Sequence, residues 1–181
     1  MTAASGTAVL TLRQVHTAEP GLLGSLSALL TDAVHGGASV GFLAPLSAHT
    51  ASTYWAGVMA ALGPAQVLWV AEQGGQVVGT VQLSLCTKDN GRHRAELQKL
   101  LVLSAQRGQG LARRLMTMAE DFARQHGLSL LVLDTLADSK AEGLYAHLGW
   151  QRAGQIPSYA GDPQGRLCAT VVFYKQLAAQ A

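Results

Sequence analysis

Charge is what this chain has least of. Lys, Arg, Asp and Glu make up 13% of its 181 residues, against about 25% in an average soluble protein. Apolar residues make up 49%, and a disordered chain needs the opposite balance. With 13 basic and 11 acidic residues the net charge is +2, too small to imply nucleic acid as a partner. Long hydrophobic runs are also missing. The LLVL runs at Leu100–Leu103 and Leu130–Leu133 are the size of buried strands, whereas a bilayer span needs roughly 20 apolar residues. Cys86 and Cys168 are the two cysteines; neither has a CxxC partner or a His at ligand spacing, so no zinc or other metal site is expected. Two reduced thiols and a disulfide both remain open. The first basic residue is Arg13, so the start lacks the charged opening of a signal peptide. A cytoplasmic α/β protein is expected, one domain over residues 1–181 with residues 1–6 as a loose end.

Turn residues and periodicity divide the rest. Val9 to Val15 reads as a strand. Leu22, Leu23, Leu26, Leu29, Leu30, Ala33 and Val34 follow at helical spacing until Gly36-Gly37. A Gly- and Pro-marked loop leads to a second helix from about Ser47, stopped at Gly63-Pro64. Strands at residues 66–72 and 76–85 flank Gly74-Gly75, a hairpin signal. A strand from about Arg94 to Leu103 precedes a Gly-rich turn and a helix ending at His126-Gly127. After a buried strand at residues 129–135 and a helix at about 138–148 come two strands, about 150–156 and 167–176, separated by a loop containing Pro157. The order β-α-α-β-β-β-α-β-α-β-β implies a mixed sheet with an antiparallel first half and a βαβ crossover in the second.

The informative segment is LLVLSAQRGQGLARRLM, Leu100 to Met116. A hydrophobic strand enters Arg107-Gly108-Gln109-Gly110-Leu111-Ala112, and an amphipathic helix starts at once. Glycines let backbone N–H groups turn toward a ligand, and a helix start adds free donors and a positive dipole end, favouring phosphate. Arg107, Arg113 and Arg114 add charge there. A Walker loop would need a Gly-Lys pair, which the sequence lacks. The dinucleotide fingerprint would need a third small residue where Arg113 stands.

The Arg107–Ala112 stretch resembles the [Q/R]xxGx[G/A] motif of the GNAT superfamily of acetyl-CoA-dependent N-acyltransferases. DSKAEGLYAHLGW, Asp138 to Trp150, is similar to that family's NxxAxxxYxxxGF segment, with Asp for Asn and Trp for Phe. GASVGFLAPL, YWAGV, AELQKLLVL, LVLDT, GDPQGRL and FYK are more narrowly similar to the tabtoxin-resistance acetyltransferases. The resemblance implies an α/β GNAT fold: a mixed, mostly antiparallel seven-stranded sheet, a central splayed parallel pair and about four helices.

It also implies roles. Acetyl-CoA would lie between the splayed strands at residues 97–103 and 129–135. Backbone groups near Leu101, Val102 and Leu103 would bond the pantetheine arm. The N–H groups of Arg107, Gly108, Gln109, Gly110, Leu111 and Ala112, with Arg113 beside them, would take the pyrophosphate. Asp138 and Ser139 stand where the family contacts the CoA arm. Tyr145 occupies the general-acid position, expected to pass its proton to the departing thiolate, and the N–H near Val102 would face the thioester oxygen. Glu96 and Asp134 are the candidate bases. Alternation is expected to put Glu96, Gln98, Leu100 and Val102 on one face. Tyr159, Trp55, Phe42 and His93 border the acceptor groove in the family. The expected acceptor is a small amino-acid-like amine, by direct transfer in a ternary complex, in a monomer or homodimer with neither nucleic acid nor membrane as partner. Acetylation of a protein N-terminus or lysine, and a non-catalytic CoA-binding sensor module, are the alternatives.

Overall fold

A computed structural model describes residues 9–178; the expected loose end at residues 1–6 lies outside them. The elements follow the anticipated order: β1 (Leu10–Val15), α1 (Leu22–His35), α2 (Ala48–Ala60), β2 (Gln66–Gln73), β3 (Gln76–Leu85), β4 (Arg94–Val102), α3 (Leu111–Gln125), β5 (Leu130–Leu136), α4 (Lys140–His147), β6 (Gln151–Gly161) and β7 (Leu167–Gln176). Local chemistry accounts for them. Leu22, Leu26, Leu29, Leu30, Ala33 and Val34 form the buried stripe of α1. The Ser47 hydroxyl caps α2 by accepting the Thr50 N–H. Gly74 and Gly75 both take positive φ between β2 and β3, as a tight hairpin turn requires.

The strands make one seven-stranded sheet in the order β1-β2-β3-β4-β5-β7-β6. β4 and β5 are parallel, and every other pairing is antiparallel. This is the arrangement that the resemblance implies, a mixed, mostly antiparallel sheet with one parallel pair and four helices. α1 and α2 cover one face, over Leu68, Val70, Val77 and Leu101. α3 covers the other, over Val67, Trp69, Leu83, Ala95, Leu97, Leu131 and Leu133. Among the described residues no helix is long and apolar enough to cross a membrane, and Cys86 and Cys168 are both free.

β4 and β5 pair only at Arg94↔Leu130, Ala95↔Leu131 and Glu96↔Val132. Beyond Glu96 they part, because β4 stays with β3 to Val102 while β5 stays with β7 to Leu136. The expected splay is therefore present.

Two expectations fail. Glu96, Gln98, Leu100 and Val102 do not share a face, because Lys99 has φ +48°. The register steps from Gln82↔Gln98 to Thr80↔Leu101, so Lys99 and Leu100 oppose a single residue of β3. This β-bulge reverses the alternation. Leu101 joins the core under α1 and α2, while Leu100 and Val102 pack toward α3. β6, expected to end near Ile156, continues through Pro157 to Gly161. It is the outermost strand, where proline removes no ladder bond, and a register shift between Ile156 and Ala160 absorbs the irregularity.

Candidate active site

The turn from β4 to α3 is built from its backbone outward. Asp32, on α1, accepts the Ser104 N–H at 2.8 Å and the Ser104 hydroxyl at 2.9 Å. That fixes the exit of β4. Gly108 and Gly110 then adopt φ +79° and +76°. A Cβ on either would meet nothing within 4 Å, so conformation, not crowding, asks for glycine while the space in front of the turn is open. Gly110 precedes α3 with no side-chain cap, and the first bond into the helix runs from the Arg114 N–H to the Gly110 carbonyl at 3.1 Å. Among the described residues, the N–H groups from Gly108 to Arg113 have no acceptor. Free donors at the positive end of a 15-residue helix suit a phosphate group. Arg113 and Arg114 are exposed on the first turn. Arg107 instead turns back, its Nε donating to the Val102 carbonyl at 3.2 Å, and so ties the turn to the strand.

Leu101, Val102 and Leu103 differ in what their backbones can still bond. The Leu103 N–H donates to Val78 O at 2.9 Å, and its carbonyl accepts from the Gln106 N–H at 2.8 Å. Because successive N–H groups of a strand point to opposite edges, the Val102 N–H is directed away from β3, toward the opening between β4 and β5.

Glu96 stands at the last paired step of that opening and Asp134 lies two residues past its partner Val132. Both belong to the face covered by α1 and α2. Tyr145 reaches the opening from the other face. It is 7% exposed, with its ring 6.2 Å from Trp150 and 6.1 Å from Phe173. Burial, and then the charge of Asp134, push its phenol well above the usual range. Asp134 keeps solvent access, yet its carboxyl is raised, first by loss of surrounding water and then by Glu96, with Lys99 opposing. The parting of the strands thus lets groups from both faces of the sheet sense one another. Asp138 and Ser139 sit at the start of α4. Asp138 has φ +58°, a region Asp and Asn tolerate better than most residues. Its N–H donates to Glu142 Oε2 at 2.7 Å, while the Ser139 hydroxyl accepts the Glu142 N–H at 3.2 Å, a variant of the capping box.

Sequence reasoning missed Lys99 and Tyr54. The bulge carries Lys99 so that its Nζ lies 5.4 Å from the Tyr54 ring centre. Desolvation lowers its pKa, against the pull of Asp134 and Glu96. The available signal was one cation, beside Gln98, inside the mostly aliphatic LQKLLVL stretch. Of the expected groove residues, Trp55 is core at 0% exposure, Tyr159 is exposed, and Phe42 packs edge-on against Tyr54 at 5.3 Å. His93 is exposed and its carbonyl accepts the Ser129 N–H at 2.9 Å. Among the described residues no three His, Cys, Asp or Glu gather as a metal site.

Residues 32–150 match the family described as the acetyltransferase (GNAT) family. N-acetyltransferase 8 of Rattus norvegicus is 44% identical over 90 residues, covering 48% of this chain and 40% of its own. The chain therefore spans about two fifths of that relative's length. An uncharacterized N-acetyltransferase from the hisH–hisA intergenic region of Azospirillum brasilense is 31% identical over 152 residues, covering 82% of this chain and 89% of its own. In fold, yncA of Salmonella typhimurium, solved with its cofactor acetyl-CoA, superposes with a TM-score of 0.73 at 22% identity over 95% of this chain and 96% of its own.

Proposed function

The chain belongs to the acetyltransferase (GNAT) family, and from that premise we propose that it is an acetyl-CoA-dependent N-acetyltransferase acting on the primary amine of a small amino-acid-like molecule, by direct transfer in a ternary complex. One observation carries the reading: β4 and β5 separate beyond Glu96 and Val132, between the free N–H groups that start α3 and the pair Tyr145 and Asp134. Acetyl-CoA supplies the acetyl group as an activated thioester.

The chain's own residues divide the remaining work. The N–H groups of Gly108, Gln109, Gly110, Leu111 and Ala112 bind phosphate, with Arg113 adding charge; Arg107 holds the turn in place. Along the strand, the backbone edge at Val102 faces the pantetheine arm, while Leu101 and Leu103, whose N–H groups point the other way, hold the strand to β3. Asp138 and Ser139 border the arm from α4. The Val102 N–H donates to the thioester oxygen, where negative charge grows. Asp134 and Glu96 take the proton that the acceptor ammonium must lose. The Asp134 carboxyl, raised above its usual range, is a stronger base than an ordinary carboxylate for that purpose.

The part of Tyr145 differs from simple proton delivery. A phenol with a raised pKa is a weaker acid than a thiol, whose pKa is near 8.5, so full transfer to a free thiolate runs uphill. As the amine nitrogen bonds the acetyl carbon and the C–S bond breaks, Tyr145 stays protonated and donates a hydrogen bond to the sulfur; CoA leaves as a thiolate that takes its proton from solvent. The low overall charge favours a compact acceptor, because the surface has few charged residues with which to dock a protein. Residues 1–181 are read as one catalytic domain, since strands from both halves join edge to edge in one sheet.

Acetyl-CoA is expected to raise the melting temperature, because a ligand of the native state must stabilise it. An acetyl-CoA consumption screen over amino acids, polyamines, aminoglycosides and toxin-like β-lactams then reads the acceptor class, the β-lactams being included for the resemblance to tabtoxin-resistance enzymes. No rise in melting temperature overturns the reading.

A further inference from the structure

We infer that Lys99 selects the acceptor by binding a carboxylate carried close to the reacting amine, as in a free α-amino acid. This rests on the acetyltransferase reading above. Lys99 is one of two lysines drawn into the fold near the sheet, and the other shows what a structural lysine looks like here. Lys175 Nζ donates to both oxygens of Glu120 at 2.8 Å and to the Leu148 carbonyl at 2.9 Å. Lys99 has nothing comparable. Among the described residues no carboxylate lies within 4 Å of it, and Glu96 and Asp134 act on it only at longer range.

The fold nonetheless holds Lys99 in place. Its backbone is left-handed, φ +48°, which an L-residue adopts only under constraint. Its Nζ rests over the Tyr54 ring at 5.4 Å. The Tyr54 hydroxyl accepts from Gln82 Nε2 at 3.1 Å, and Gln82 Oε1 accepts from Gln66 at 2.9 Å. Gln82 is 1% exposed, so the aromatic platform is fixed from beneath. A cation with free donors therefore faces two carboxylates across the mouth of the opening. An ammonium fits beside Glu96 and Asp134, and a carboxylate on the same small molecule fits Lys99. A polyamine would instead bring a second positive charge toward it.

The test compares the twenty amino acids with their carboxamides, which keep the amine and lose the anion, as acceptors for the wild type, Lys99→Met and Lys99→Arg. The wild type is expected to prefer at least one acid over its amide by about tenfold or more in kcat/KM, as a charge-assisted contact implies. Lys99→Met is expected to bring that ratio close to one, mainly by raising KM for the acid, and Lys99→Arg to retain much of it. Equal use of acid and amide by the wild type, or a ratio untouched in Lys99→Met, overturns the inference. So does failure to acetylate any amino acid while acetyl-CoA still raises the melting temperature, a result that leaves the enzyme reading standing. Failure of acetyl-CoA to bind overturns that reading instead.

Discussion

Gly110 combines two demands that a substitution can separate. A left-handed conformation costs an L-residue about 1–2 kcal/mol, while Asp is otherwise a good residue to precede a helix. Gly110→Asp is therefore expected to lose no more than about 2 kcal/mol in urea unfolding. The same carboxylate opposes phosphate at the helix start, so acetyl-CoA binding by calorimetry should disappear. Parallel loss of fold and binding would mean that Gly110 is merely structural. Tyr145 is tested differently, because its ring fills a core position beside Trp150 and Phe173 that phenylalanine also fills. Tyr145→Phe is expected to lower kcat by about 100-fold, the lower end for a lost hydrogen-bond donor to developing charge. Acetyl-CoA affinity should stay within about twofold, since the phenol acts on the leaving sulfur. An unchanged kcat would remove the role assigned to it.

Among the elements, β4 decides where chemistry can occur. Its first residues are locked between β3 and β5, and its last ones are bonded on the β3 side alone. The bulge at Lys99 falls in this second part, where β5 no longer constrains the strand. An extended ligand arm placed there would complete the backbone bonding much as an added strand does. Hydrogen exchange should therefore slow at Val102 and from Gly108 to Arg113 when acetyl-CoA is added, by more than the general slowing seen in β1 and β2. Protection spread evenly over the sheet would instead indicate general stabilisation. The outermost position of β6 explains an opposite feature, a long and exposed strand that accepts Pro157 and a register shift without disturbing the core.

For the molecule as a whole, Glu120 ties together parts far apart in the chain. It is 7% exposed on α3, and it accepts from Lys175 on β7, from Arg124 on its own helix and from the Trp150 indole just before β6. Glu120→Ala strands Lys175 near the core, and breaking such a pair costs about 3 kcal/mol. Urea unfolding should show that loss while acetyl-CoA affinity remains, because the network lies away from the Gly108–Gly110 turn. Tyr145 was named through the family resemblance, whereas the element order, the hairpin at Gly74-Gly75 and the conformation of the glycine turn were legible in the sequence. Each is written in residues close together, where periodicity, capping and backbone freedom act directly. The bulge at Lys99, the grip of Asp32 on Ser104 from 72 residues away, the inward turn of Arg107 and the length of β6 were not legible. They depend on which strand neighbours which and on side chains meeting across the sheet. Local sequence thus determined the turn that can bind phosphate, and only tertiary packing decided which charges stand at the opening beside it, because charge–charge interactions depend on distance in space rather than along the chain.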